Sequence, residues 1–368
     1  MSGDTRDPDG DGEVAATPGE VRDAEVAAGV EVAADAESAG GAEVAAGADG
    51  GVAAGSERGR VRRVDDRLGL AIERVGLSGR TLVTYARDHV TVRTPSRPDF
   101  RDGNTIDLLV PPTPRELPGW IDRFRDTIAV MGARHVQLRW ETPLPPTAPA
   151  SDGTASDATP SDGTASRATA AGATADPELV AALGELGFEL GSVTMLLLEG
   201  LPPLAREPAV ELIPIEAPSA IPGGAVDRRW HAATVLYRYF EGQNPDDWRD
   251  WNQDFTDWSV DVQRELATAE RAQVWIAARH GGPVARLTVV HDRQGLAAVQ
   301  DVVVHPVHRR AGIASALTHR AITHHLETHP GSRVGIGADP GSPAEHLYRR
   351  LGFRPHATLW SALRVPDA

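Results

Sequence analysis

Between residues 302 and 317 the chain reads Val302-Val303-Val304-His305-Pro306-Val307-His308-Arg309-Arg310-Ala311-Gly312-Ile313-Ala314-Ser315-Ala316-Leu317. Residues 297–305 are apolar and rich in β-branched Val, the composition of a buried strand. Pro306 ends it, having no N–H to give to a ladder. Past a short basic turn, residues 314–322 have helix spacing, with Ile313, Leu317, Ala321 and Leu326 on one side. Such a strand, turn and helix start gathers free backbone N–H groups and the positive end of a helix dipole at one point. That is an anion site, and a phosphate is its usual occupant.

The run Arg309-x-x-Gly312-x-Ala314, preceded by Val-x-Pro, resembles the pyrophosphate loop of the GNAT-type N-acetyltransferases, whose pattern is Gln/Arg-x-x-Gly-x-Gly/Ala. A second segment strengthens the likeness. Ala344-Glu345-His346-Leu347-Tyr348-Arg349-Arg350-Leu351-Gly352-Phe353 follows a strand-like stretch at 333–338 and matches the family's Ala-x-x-Leu-Tyr-x-x-Leu-Gly-Phe. The family often carries Asn three residues before that Ala; here the position is Gly341, so a pantetheine contact is lost or comes from backbone.

The resemblance implies acetyl-CoA as co-substrate and transfer of its acetyl group to an amine by direct attack in a ternary complex. The pantetheine arm would pair with Val302, Val303 and Val304 where their strand splays from its neighbour. The diphosphate would sit on N–H groups from Arg310, Ala311, Gly312, Ile313, Ala314 and Ser315, with Arg309 adding charge. Tyr348 would return a proton to the thiolate. For the base, Asp301, Gln300, His291 and His305 are the candidates, with Asp301 acting through water taken first. A catalytically silent acyl-CoA-binding regulator is the alternative.

The helix expected after Asn244-Pro245-Asp246-Asp247 spaces Trp248, Trp251, Phe255, Trp258 and Val262 along one stripe, beside Asp250, Asp254, Asp257 and Asp261. Such a stripe packs on a sheet with its acids in solvent. In the family the first two helices wall the acceptor site, so Trp248 and Trp251 are the acceptor-binding candidates. An aromatic and acidic wall suits a cationic amine.

The positioning elements recur. Residues 81–198 read strand, strand, strand, helix, strand, insertion, helix, Gly-Phe, strand; residues 273–365 repeat that order. Leu183-Gly184-Glu185-Leu186-Gly187-Phe188 aligns with Tyr348-Arg349-Arg350-Leu351-Gly352-Phe353. The expected fold is therefore α/β (α+β): two tandem GNAT-like domains, each a mixed, mostly antiparallel sheet flanked by helices. The divisions are a disordered acidic Ala/Gly-rich tail (1–59), a degenerate copy (60–200) with a disordered insertion (143–176), and the active copy (201–368). The first copy has Pro111, Pro112 and Pro114 at its phosphate turn and Leu183 in place of Tyr348. A short helix is expected within 65–77.

The 368 residues contain no Cys, which excludes disulfides, thiolate metal sites and a cysteine nucleophile. All 37 basic residues are Arg. Residues 1–57 hold 14 acidic residues against Arg6 and Arg22 and so carry −12 of the net −15. Without aromatic residues, that tail cannot bury enough apolar surface to order itself. The remainder is still slightly acidic, which argues against nucleic acid. His324-His325 and His329 share a helix, but adjacent helical residues point apart, so no metal is expected. With no apolar run of about 20 residues and no basic-then-apolar leader, the expectation is a cytoplasmic protein off the membrane. Its partner is a small-molecule amine or peptide acceptor, and it is a monomer or homodimer.

Overall fold

The computed structural model describes residues 67–77, 79–144, 169–170, 173–218, 225–237 and 253–365. The whole of the expected tail and most of the 143–176 insertion lie outside these residues, as do Trp248 and Trp251.

The chain opens with helix α1 (Leu68–Val75). Strands β1 (Leu82–Tyr85), β2 (His89–Arg93) and β3 (Thr105–Leu108) follow. Helix α2 (Leu117–Thr127) leads to β4 (Val136–Pro143). A two-residue hairpin, β5 (Thr169–Ala170) with β6 (Ala173–Thr174), closes the insertion before α3 (Pro177–Glu185) and β7 (Glu189–Leu198). The second half runs β8 (Glu211–Ile215), α4 (Ala225–Tyr237), α5 (Gln253–Thr268), β9 (Ala272–Arg279), β10 (Gly282–His291) and β11 (Leu296–Val304). It ends with α6 (Ile313–Thr328), β12 (Arg333–Ala338), α7 (Pro343–Arg350) and β13 (Phe353–Arg364).

The repeated order seen in the sequence is a repeated structure. α3 is capped by Asp176, whose side chain accepts from the Glu178 N–H; α7 is capped by Ser342, which accepts from Glu345 N–H. Each helix has Pro in its first turn, where the lost N–H has no intrahelical use. The C-terminal bonds also match. Leu186 N–H donates to the carbonyls of Ala182 and Leu183, and Leu351 N–H to those of Leu347 and Tyr348. Leu183 and Tyr348 are therefore equivalent positions.

Among the described residues, all strands except β5 and β6 join one sheet, in the order β1-β2-β3-β4-β13-β7-β12-β11-β10-β9-β8. Each half contributes one parallel pair, β3 with β4 and β11 with β12. The final strands are exchanged. β7 ends the first half but pairs with β12 of the second, while β13 ends the second and pairs with β4 of the first. β7 and β13 pair with each other at the centre, Phe353↔Leu198 to Leu363↔Glu189. The hydrophobic core runs through this seam. Trp360 of β13 is registered on Trp140 of β4, and both are buried.

Helix α1 lies on the seam. Its Leu70 N–H donates to Glu141 Oε2 at 3.1 Å, so a carboxylate of β4 sits at the positive end of the helix. Leu68, Leu70, Ile72 and Val75 are its buried side. The contact requires glycine on β12: a side chain on Gly335 would begin 2.2 Å from Ile72 Cδ1.

Candidate active site

β11 and β12 pair only from Leu296↔Arg333 to Ala298↔Gly335. Beyond that point β12 continues against β7, and β11 against β10, so the two strands diverge. A bulge marks the divergence. Between the Arg286↔Val303 and Thr288↔Gln300 pairs, Leu287 alone faces Asp301 and Val302. Asp301 takes φ +53°, a left-handed conformation that Asp tolerates better than most residues. A cleft of about 1420 Å³ opens here.

The Asp301 carboxylate is already engaged. It accepts a hydrogen bond from Gln263 Nε2 at 2.6 Å and lies 3.5 Å from Arg286 Nη2. Arg286 is buried and also donates to Gln263 Oε1 (2.6 Å), Thr288 Oγ1 (3.1 Å) and the Ala233 carbonyl (3.2 Å). Its guanidinium stacks over Tyr237 at 4.9 Å. Burial raises the Asp301 pKa, while Arg286 and Gln263 work the other way.

The turn before α6 contains two left-handed residues. Arg310 takes φ +64° and Gly312 φ +77°. The first helical bond of α6 runs from Ala316 N–H to the Gly312 carbonyl, so the N–H groups of Ile313, Ala314 and Ser315 precede the ladder. A side chain at Gly312 would meet nothing within 4 Å, so the glycine serves its backbone angle and an open approach. Arg309 folds back, its Nε donating to the Val304 carbonyl at 3.1 Å. Val302, Val303 and Val304 and residues from Arg309 to Ser315, Ala311 excepted, line the cleft. Ala311 is exposed within the same turn.

Tyr348 lines the cleft from α7 and packs edge-on against Phe353. Burial raises its hydroxyl pKa, so the proton is held. Gly341 does not supply a free N–H where the family often has Asn, because that N–H donates to Glu345 Oε2 at 2.5 Å. Gln300 also lines the cleft, whereas His291 is drawn into a histidine cluster with His325 and His329. His305 leans on His308 in the turn. In the first half, Leu183 is fully buried in the core and the turn holds three prolines in place of N–H donors. Among the described residues, no group of three or more His, Asp or Glu could hold a metal ion. Nor is any described helix long and apolar enough to cross a membrane.

The cleft has a wall that sequence reasoning did not assign. Glu73 of α1, Phe100 and Asp102 of the β2–β3 loop, and Val193 of β7 all come from the first half. From α5 come Phe255, Trp258, Val262 and Gln263. Phe255 and Trp258 belong to the expected aromatic stripe, and Asp254, Asp257 and Asp261 beside them are exposed, as that spacing implies. Glu73 lies more than two hundred residues from the loop motif. Its only local signal is a lone carboxylate in an apolar, helix-spaced segment.

Residues 270–355 match the family model described as an acetyltransferase (GNAT) domain. This stretch of the chain is thus a GNAT-type domain, and the first half repeats its order of strands and helices. A functionally unknown conserved protein from Staphylococcus epidermidis shares the fold with TM-score 0.53 at 13% identity, over 77% of this chain and 93% of that one. A GCN5-related N-acetyltransferase from Kribbella flavida aligns with TM-score 0.51 at 18% identity, over 81% and 95%. No curated protein matches the sequence.

Proposed function

We propose that the protein is an N-acetyltransferase that moves an acetyl group from acetyl-CoA to an amine, with its one active centre in the second half. The observation that carries this reading is the joining of the splayed β11–β12 pair, the N–H-rich turn before α6 and Tyr348 in one cleft. Val302–Val304 offer strand edge to a pantetheine arm. The turn from Arg310 to Ser315 offers N–H groups to a diphosphate, with Arg309 adding charge. Tyr348 holds its proton and gives it to the departing thiolate.

Asp301 takes a different part from the one its sequence position suggests. Its carboxylate is committed to Gln263 and Arg286, and it stands in the bulge. In this reading it fixes the bulge that keeps the two strands apart, and the proton of the amine goes elsewhere. The division at 200/201 into a supporting first copy and a catalytic second copy is part of the proposal, as is action away from membranes in the cytoplasm.

The test is calorimetric titration with acetyl-CoA, followed by turnover with Tyr348→Phe. Binding at one site per chain, weakened about a hundredfold by Gly312→Val, with turnover lost and affinity kept in Tyr348→Phe, is the expected result. Binding without turnover of any amine would favour the silent acyl-CoA-binding reading. No binding would remove both.

A further inference from the structure

Glu73 stands at the parting of β11 and β12. A side chain on Gly337, beyond the last β11–β12 pair, would begin 3.6 Å from Glu73 Oε1, so the glycine leaves the carboxylate open to the divergence. The helix that carries Glu73 is pinned at both ends. Glu141 receives the Leu70 N–H at its start, and Arg74 Nη1 reaches Asp107 Oδ2 at 2.7 Å near its end. Glu73 is thus held by a rigid element. Its side chain keeps 33% of its surface, and lines the cleft.

The nearest cation does not neutralise it. Arg139 Nη1 is 3.9 Å from Glu73 Oε2, but the Arg139 fork is bound to Asp107, with Nε–Oδ1 at 2.8 Å and Nη2–Oδ2 at 3.2 Å. The charged groups facing Glu73 are Arg139 from β4, Asp107 from β3, Asp102 from the β2–β3 loop and its neighbour Arg74. Asp107 already takes both arginines, so the set as a whole is left with an excess carboxylate. Burial comes first, Asp102 and Asp107 add to it, and Arg139 and Arg74 oppose; together they push Glu73 up to about 7.

The same cleft holds a nest of three rings. Phe100 lies 5.8 Å from Phe255 and 4.9 Å from Trp258, and Phe255 lies 5.8 Å from Trp258. These tilted faces take a flat apolar body well.

We propose that the acceptor pocket is shared between the two halves and takes a primary amine on an aromatic body, its ring against Phe100, Phe255 and Trp258 and its ammonium at Glu73, which takes the proton. The proposal rests on the acetyltransferase reading. In the step, Glu73 carboxylate removes one proton from R–NH3+ and the freed nitrogen attacks the thioester carbonyl. The C–N bond forms and the C–S bond breaks. The leaving thiolate takes the Tyr348 proton, and the second proton shed by the nitrogen returns to Tyr348. Glu73 then releases its proton to solvent, giving amide, CoA thiol and one proton.

The test uses the full chain, 2-phenylethylamine and n-propylamine. The aromatic amine is expected to have the higher kcat/KM by roughly tenfold or more, the discrimination an apolar pocket gives. Glu73→Gln should lower kcat by roughly a hundredfold or more, as loss of a general base does, and should erase a rise of kcat/KM with pH near 7. Phe100→Ala and Trp258→Ala should raise KM for 2-phenylethylamine and leave that for n-propylamine unchanged. A Glu73→Gln enzyme with wild-type kcat and pH profile, or equal use of both amines, would overturn the proposal. Direct calorimetry of 2-phenylethylamine separates the two levels. Acetyl-CoA turnover with no Glu73 dependence sinks the pocket and keeps the reaction. Amine binding that Phe100→Ala and Glu73→Gln abolish, without any acetyl-CoA binding, sinks the reaction and keeps the pocket's ligand.

Discussion

Gly337 and Glu73 face each other across the gap where β11 leaves β12, separated by little more than the space a methyl group would occupy. Gly337 comes from the half with the Arg309–Ser315 turn, Glu73 from the half with prolines at 111, 112 and 114. The gap is also narrow on its other side, where a side chain on Gly337 would begin 3.0 Å from Val193 Cγ1. Gly337→Ala should therefore raise the KM for the amine by about tenfold, equivalent to about 1.4 kcal/mol, and leave acetyl-CoA affinity unchanged. Steady-state kinetics beside acetyl-CoA calorimetry checks this; an unchanged KM would mean that the amine enters elsewhere.

The anion loop depends on backbone angles. A β-branched residue at Gly312 is strained at φ +77° by about 1–2 kcal/mol, and relief of that strain turns the N–H groups away. Gly312→Val should weaken acetyl-CoA binding by about a hundredfold, comparable to losing two hydrogen bonds to a charged group. Arg310→Gly, at a position already left-handed, should keep the loop intact. Calorimetry of both variants decides whether conformation or charge dominates.

Asp107 is fully buried with Arg139 and Arg74 upon it. Asp107→Ala would leave two guanidinium groups without their carboxylate, at a cost of about 3–5 kcal/mol. Urea unfolding followed by circular dichroism should show that loss. Burial works to raise the Asp107 pKa, but Arg139 and Arg74 hold it below its ordinary value. Its contribution is therefore present above the unfolded carboxylate pKa and lost as pH falls through the lower folded one, a window below about pH 4.

A second pH window belongs to the histidines at the end of α6. His325 stacks on His329 at 4.7 Å and lies 5.5 Å from His291. Burial, then His329, His291 and His324, push it down to about 4. A depressed folded pKa means that stability is complete above the unfolded value near 6.5 and drains away as pH falls toward 4. The Tm should drop between pH 7.5 and 5, and His325→Gln should flatten that slope. A parallel slope in the variant would place the titration on another group.

The strand exchange makes the halves interdependent. Residues 201–368 alone would present β13 without β4 and β7, and β12 without β7. Unpaired strand edges of this kind aggregate. That fragment should be insoluble when expressed alone and recovered when residues 60–200 are co-expressed. A soluble, monomeric 201–368 fragment that binds acetyl-CoA would show that the second half closes its own sheet.

Much of this was written locally. The turn from Arg309 to Ser315, the helix from Ile313, the place of Tyr348 and the equivalence of Leu183 with it follow from residue type and spacing, because N–H geometry, prolines and caps act within a few residues. The aromatic spacing after Asn244 likewise placed Phe255 and Trp258 on one side of a helix. Which strand lies beside β12 is not local. β7 and β13 both follow a Leu-Gly turn and are both long, so either could fill the place, and only the closing of one common sheet selected β7. That choice set α1 across the seam and brought Glu73, Phe100 and Asp102 to a cleft encoded two hundred residues away. Long-range register, decided by burying both faces of the central strands at once, put the wall of the site where no local pattern could announce it.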